Sequence, residues 1–297
     1  MHCDSLLRVN SEEGLINKHN FSTDNPQLQF FAAFVPARGN APEVRRRELM
    51  RLFKVYIHEM GRLGLTQVDD VRSLCSVTDL GKRAAMFTVE GGGGLLADSD
   101  EIFSLHKMGL RVMGLAWDDT ELASGALSAE DGGLTYEGRR MAARMTELGI
   151  VADVSHLSDR SFYGLADAYP LPLIATHSNF RDICPSKRNL TKDMAREIAY
   201  RGGVIGLNLY PEFLSGNERA TAEDILRHID YALENFGDSV LGCGFDIDGT
   251  RGSYPDGFVE GESIHDKFVN LLLSHYPAST VRRIAGENVI DFLKGVL

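Results

Sequence analysis

Leu148-Gly149-Ile150-Val151-Ala152-Asp153-Val154-Ser155-His156, followed by Leu171-Pro172-Leu173-Ile174-Ala175-Thr176-His177, decides the fold. Each half is a short apolar run that reads as a buried strand and runs out in a histidine. The two histidines lie about twenty residues apart, the repeat of one βα unit. The same alternation extends along the chain. Strand-like runs are expected at residues 28–35, 84–89, 111–116, 150–154, 171–176, 203–208 and 240–245, with a stub at 1–3. Segments at 42–65, 136–148, 192–201 and 222–236 carry the i, i+3, i+4 apolar period of helices. Eight strands alternating with helices predict a parallel (β/α)8 TIM barrel. No linker, low-complexity stretch or internal repeat divides residues 1–297, so a single domain is expected.

Composition narrows the classes. Hydrophobic content of 43% and charged content of 25% are ordinary globular values. A net charge of −11 argues against nucleic acid or an anionic membrane surface as partner. Cys3, Cys75, Cys184 and Cys243 form no C-x-x-C pair, so reduced thiols are expected rather than a disulfide framework or zinc knuckle. No apolar run approaches the ~20 residues of a membrane-spanning helix, and no signal peptide is visible, which leads to the expectation of a cytoplasmic protein. The carboxyl end reads as an amphipathic helix. Only Met1 precedes His2, whereas a barrel strand needs ~5 residues. Either the barrel's first strand is truncated or the true start lies upstream, and the second account is preferred.

Residues with metal chemistry collect at the carboxyl ends of these runs, where barrel enzymes gather their catalytic groups. His2 and Asp4 share one strand face, with Cys3 on the other. Glu90 ends the run Ala-Ala-Met-Phe-Thr-Val and precedes Gly91–Gly94. A carboxylate there needs a partner, and its two oxygens can bridge two cations. No Gly-Lys-Ser/Thr follows, so the glycines are no P-loop and read as a flexible turn admitting substrate. A lone strand-end histidine is usually a hydrogen-bonded core residue. His156 and His177 in adjacent units, with carboxylates at other strand ends, reverse that expectation. Asp246 and Asp248 share a face of the last strand; Asp248 beside Gly249 suits a turn, and Asp246 is the better proton carrier. Arg188 follows the His177 strand and suits a carboxylate clamp, or is ordinary loop charge. Thr191 is a candidate helix cap. His19, His58, His106, His228, His265 and His275 read as surface residues.

Together these residues resemble the membrane (renal) dipeptidase family, the M19 metallopeptidases within the amidohydrolase superfamily. The likeness runs through His2-Cys3-Asp4, Val89-Glu90-Gly91-Gly92, Gly133-Leu134-Thr135, Asp153-Val154-Ser155-His156, Thr176-His177-Ser178-Asn179 and Arg188-Asn189-Leu190. It continues in Gly202–Gly206, Gly244-Phe245-Asp246-Ile247-Asp248-Gly249 and Gly286-Glu287-Asn288-Val289. The resemblance implies a (β/α)8 TIM barrel of the metal-dependent hydrolase type and a single catalytic domain, with two Zn²⁺ ions bridged by a glutamate and a hydroxide that attacks the peptide bond of a dipeptide, often one with a D-residue at its carboxyl side. By position, His2, Asp4 and Glu90 hold one metal, and Glu90, His156 and His177 the other. Asp246 matches the proton shuttle and Arg188 the arginine for the substrate carboxylate. Family habit implies a homodimer. The chain departs at Leu115-Ala116-Trp117-Asp118, where mammalian members have Leu-Thr-His. Trp117 offers only an indole N–H to a substrate. A related amidohydrolase acting on N-acyl amino acids or lactones, and a metal-retaining binding protein without catalysis, are the alternative functions.

Overall fold

The computed structural model describes residues 1–7, 27–98, 100–258 and 263–297. Its strands are β1 (His2–Cys3), β2 (Gln27–Phe34), β3 (Thr66–Gln67), β4 (Arg83–Glu90), β5 (Leu110–Gly114), β6 (Val151–Asp153), β7 (Leu173–Ala175), β8 (Val204–Leu207) and β9 (Leu241–Cys243). All pairings are parallel, in the order β1-β2-β4-β5-β6-β7-β8-β9. The path returns on itself. Cys3 bridges Ile247 in parallel, Asp4 N donates to Ile247 O at 2.8 Å, and the Met1 amine donates to Cys243 O. The eight-stranded ring is the expected (β/α)8 barrel. β3 is an addition that the sequence reading missed; it lies beside the start of β4, with Thr66 opposite Ala84.

The helices end where local chemistry stops them. Pro42–Leu63 opens with proline in its first turn and closes on Gly64 at φ 65°, burying Leu49, Leu52, Phe53 and Tyr56 on one face. Tyr136–Leu148 is capped by Thr135, whose hydroxyl accepts from Gly138 N, and ends on Gly149 at φ 67°. Thr191 caps Lys192–Tyr200 as its sequence context suggests. Among the described residues no helix is long and apolar enough to cross a membrane.

Strand alternation divides the core. Phe31, Ala33, Phe87 and Val89 pack outward against the helices together with Cys3. Phe30, Met86, Val112, Val151, Ile174 and Val204 form a second cluster with Val289, Phe292 and Leu293 of the helix Asn288–Val296. The carboxyl-terminal helix thus seals the amino end of the strands, and polar side chains gather at the opposite end.

Of the histidines expected at the surface, His58 and His275 are exposed, His106 and His265 half-buried, and His19 outside the described residues. His228 is instead fully buried, because its Nδ1 accepts from Phe180 N and its Nε2 meets Leu214 O at 3.0 Å. Burial lowers its pKa to about 4, whereas the unfolded chain titrates near 6.5. The unfolded state therefore binds the proton more tightly. His228 contributes stability above pH 6.5 and loses it as pH falls from 6.5 towards 4, by about 3 kcal/mol. Urea unfolding of the wild type and His228→Gln should show a shallower acid decline in the variant; parallel declines would refute this role.

Candidate metal centre

Register brings the site together. In β4 the residues Ala84, Met86, Thr88 and Glu90 share the inner face, so Glu90 points into the mouth of the ring. His2 lies opposite Phe30 of β2, which also faces inward, and this puts the imidazole beside Glu90 and sends Cys3 outward. His156 stands three residues beyond β6 in left-handed backbone at φ 68°, and His177 two beyond β7. Glu90 Oε1 is 2.8 Å from His156 Nε2 and 3.2 Å from His177 Nε2, and Oε2 is 3.5 Å from His2 Nε2. His2 Nε2 lies 3.7 Å from Asp4 Oδ1 and 3.9 Å from Asp246 Oδ1. The rings of His2 and His177 stack at 3.8 Å.

This cluster fits a cation. His2 Nε2, Asp4 Oδ1 and both Glu90 oxygens are buried without a hydrogen-bond partner. The close nitrogens approach Glu90 outside hydrogen-bond geometry. Two sets of candidate ligands result, His2 with Glu90 and His177, and His2 with Asp4 and Asp246. Imidazole nitrogens and carboxylate oxygens are the donors that zinc and similar ions take. Electrostatics agree. Burial raises the Glu90 carboxyl, with the Asp4 charge adding to it against the opposing effect of His2. Burial likewise raises Asp246. Burial holds His156 and His177 well below the ordinary histidine value, so both are neutral. Burial opposes a charge on His2 too, but Glu90 and Asp4 outweigh it. Buried carboxylates crowded around one imidazole favour positive charge at that spot.

The structure alters two local expectations. β9 ends at Cys243, and Asp246 and Asp248 lie beyond it in left-handed backbone at φ 58° and 67°, so strand alternation does not place them on one face. Asp246 Oδ2 accepts from Asn208 Nδ2 at 3.1 Å, while Asp248 turns to accept from Ser5 Oγ. Gly91–Gly94 is buried and packed rather than flexible. A Cβ on Gly93 would stand 2.7 Å from Arg45 Nη1 and 2.8 Å from Thr120 Cβ. Arg45 is itself buried and paired with Glu121, so these glycines allow close packing beneath the site.

Arg188 is buried against both histidines. Its Nε donates to His156 Nδ1 at 3.1 Å, Nη1 to Ser178 Oγ at 2.9 Å and Nη2 to His177 O at 2.8 Å. It therefore approaches His156 from the side opposite Glu90, and three of its five N–H groups are taken up there. Trp117 is 39% exposed and lies between Phe34 and His156, with ring centroids at 5.2 and 5.7 Å. Trp117, His156 and Asp246 line one cavity of about 970 Å³, with Tyr210, Phe213 and Arg251 around it. The sequence reading gave no role to Asn208, although it ends the run 203–208 at the site. It gave none to Asp153 or Gly249 either. A Cβ on Gly249 would lie 2.2 Å from Asp246 Oδ1 and 2.6 Å from Asp4 Oδ2.

Known proteins resemble this chain in sequence and in fold. An uncharacterised protein encoded in the pqqA 5' region of Klebsiella pneumoniae is 28% identical over 269 residues, covering 87% of this chain and 98% of that one. The match to an uncharacterised protein of Acinetobacter calcoaceticus covers 52% of each chain, and the matches to two longer dipeptidases, from Claviceps purpurea and Mus musculus, span 58% and 55% of their length. The crystal structure of dipeptidase AC, a metallopeptidase of family M19, superposes with a TM-score of 0.89 at 25% identity, covering 99% of this chain and 97% of that one. A metallopeptidase from Rhodobacter sphaeroides, liganded with a phosphinate mimic of the dipeptide L-Ala-D-Ala, shares the fold with a TM-score of 0.85 at 24% identity, covering 99% of each chain. The family profile matches residues 8–296, a span that begins just after His2-Cys3-Asp4. With nearly its whole length matched, the chain belongs to the membrane dipeptidase family, peptidase family M19.

Proposed function

We propose that this protein is a zinc-dependent dipeptidase with two metal ions per chain. The observation that carries the reading is the convergence of His2, His156 and His177 on the buried Glu90 carboxylate, whose oxygens have no hydrogen-bond partner, with Asp4 beside His2 and a cavity lined by His156 and Asp246. His2, Asp4 and Glu90 would hold one ion, and Glu90, His156 and His177 the other. Bound there, such ions supply Lewis acidity towards the scissile carbonyl and lower the pKa of water. Asp246, with its carboxyl raised by burial and oriented by Asn208, takes the proton of the attacking water and hands it to the leaving amine. Arg188 reads the free carboxyl end of the substrate, and Trp117 presents an apolar wall and one N–H to it. The membership in family M19 and the dipeptide mimic in the Rhodobacter protein support a dipeptide as substrate.

The test is a panel of L-L, L-D and glycine-containing dipeptides with their amides and matching tripeptides. Charge-assisted hydrogen bonds contribute about 1.5–3 kcal/mol, so kcat/KM should favour a free dipeptide over its amide by on the order of 10- to 100-fold. Arg188→Lys should erode that preference, since an ammonium is a point donor and not a planar fork. Equal activity on dipeptide and amide removes Arg188 from the site and favours an N-acyl amidohydrolase. Stoichiometric metal with no hydrolysis of any member favours a binding protein.

A further inference from the structure

We infer that Asp153, acting through Thr176, is a positioning residue that fixes the proton of His177 on Nδ1 and so presents Nε2 as a lone pair to the metal centre. The inference rests on the proposed ligation by His177 and adds the device that prepares it. Asp153 ends β6, and its carboxylate is buried in a polar cage. Oδ1 accepts from Ser155 N at 2.9 Å and Thr176 N at 3.0 Å, and Oδ2 accepts from the Thr176 hydroxyl at 2.5 Å. A threonine hydroxyl has one hydrogen. Given to Asp153, it is no longer available to His177 Nδ1, which lies 2.8 Å from the same oxygen. Thr176 Oγ1 can then only accept, so Nδ1 carries the hydrogen and Nε2 keeps its lone pair towards Glu90.

A second chain of contacts reaches the same result from the other side. Arg188 Nε donates to His156 Nδ1, which leaves the His156 hydrogen on Nε2. That nitrogen faces His177 Nε2 at 2.8 Å, so His177 must be the acceptor. The two histidines are thus prepared differently: His177 is set for ligation by Asp153, while His156 can ligate through Nε2 only when its contact with Arg188 opens. The Asp153 carboxylate also ties the backbone ends of β6 and β7 together, which sets the spacing of the two imidazoles.

The test compares full-length wild type, Asp153→Asn, Thr176→Val and Thr176→Ser. Zinc release from the loaded proteins is followed by competition with a chromophoric chelator, and the His177 tautomer is read from two-bond ¹H–¹⁵N correlations. In Asp153→Asn the carboxamide donates to Thr176 Oγ1 and turns the hydroxyl hydrogen towards His177. The proton of His177 should then move to Nε2, and zinc affinity should fall by on the order of 10- to 100-fold, the usual effect of losing a partner behind a ligand. Thr176→Val should weaken zinc binding and Thr176→Ser should restore it. A folded Asp153→Asn with the wild-type tautomer overturns the inference, as do zinc affinities in it and Thr176→Val within about twofold of wild type. If Asp153→Asn does not fold, equal affinities of the Val and Ser variants overturn it. Undiminished zinc binding by His177→Ala refutes ligation itself, a separate failure, since the tautomer in Asp153→Asn is read independently.

Discussion

Asp246→Asn is expected to lower turnover on dipeptides by on the order of 10²-fold or more, typical for loss of a general acid–base group, with the metal content retained. Asparagine keeps the shape of the side chain and can still meet Asn208, but it has no basic oxygen to take a proton. Asp246 is suited to that work because burial raises its carboxyl and Gly249 leaves room directly above its Oδ1. Its position within 3.9 Å of His2 Nε2, in a set with Asp4, makes metal analysis of the variant decisive. Lost turnover with metal in place supports the proton role. Lost metal makes Asp246 a ligand, and normal turnover removes it from the chemistry.

The second large effect concerns the metal itself. Protein purified without chelator should contain about two transition-metal ions per chain. Glu90→Ala should lose most of both, because the Glu90 carboxylate faces His2 through one oxygen and His156 and His177 through the other. His156→Ala or His177→Ala should lose mainly the second ion. Elemental analysis of the purified variants measures this directly. Unchanged metal in both histidine variants means that other residues hold it, and a folded, active protein that stays metal-free after zinc reconstitution sinks the mechanism.

The ring of strands was legible because a parallel barrel strand is covered on both faces and so appears as an uninterrupted apolar run. Val151, Ala152, Leu173, Ile174 and Ala175 show the pattern plainly. β3 escaped because Thr66–Gln67 is a two-residue strand with no apolar content. The clustering of His2, Glu90, His156 and His177 followed from their common place at strand ends, since closure of the ring turns a shared position along each strand into proximity. The loop after β9 was misread for a physical reason: alternation holds only while the backbone is extended, and Asp246 and Asp248 are not. The packing of Gly91–Gly94 depends on Arg45 from a distant helix, and the burial of His228 on Leu214 and Phe180. No local pattern encodes such contacts. Asp153 lies in the same apolar run as His156, but its role appears only when Thr176, at the end of the next strand, is placed beside it.

Among the described residues, the non-glycine positions with left-handed backbone are His156, Asp246, Asp248 and Arg251, and three of them border the cavity or its polar cluster. Each such conformation costs about 1–2 kcal/mol, which glycine would avoid. At His156 and Asp246, removing the side chain also removes a polar group that burial penalises. Selection for thermal tolerance alone would therefore drift towards a hardier and inert barrel, and an engineering campaign on this scaffold has to score hydrolysis and melting together.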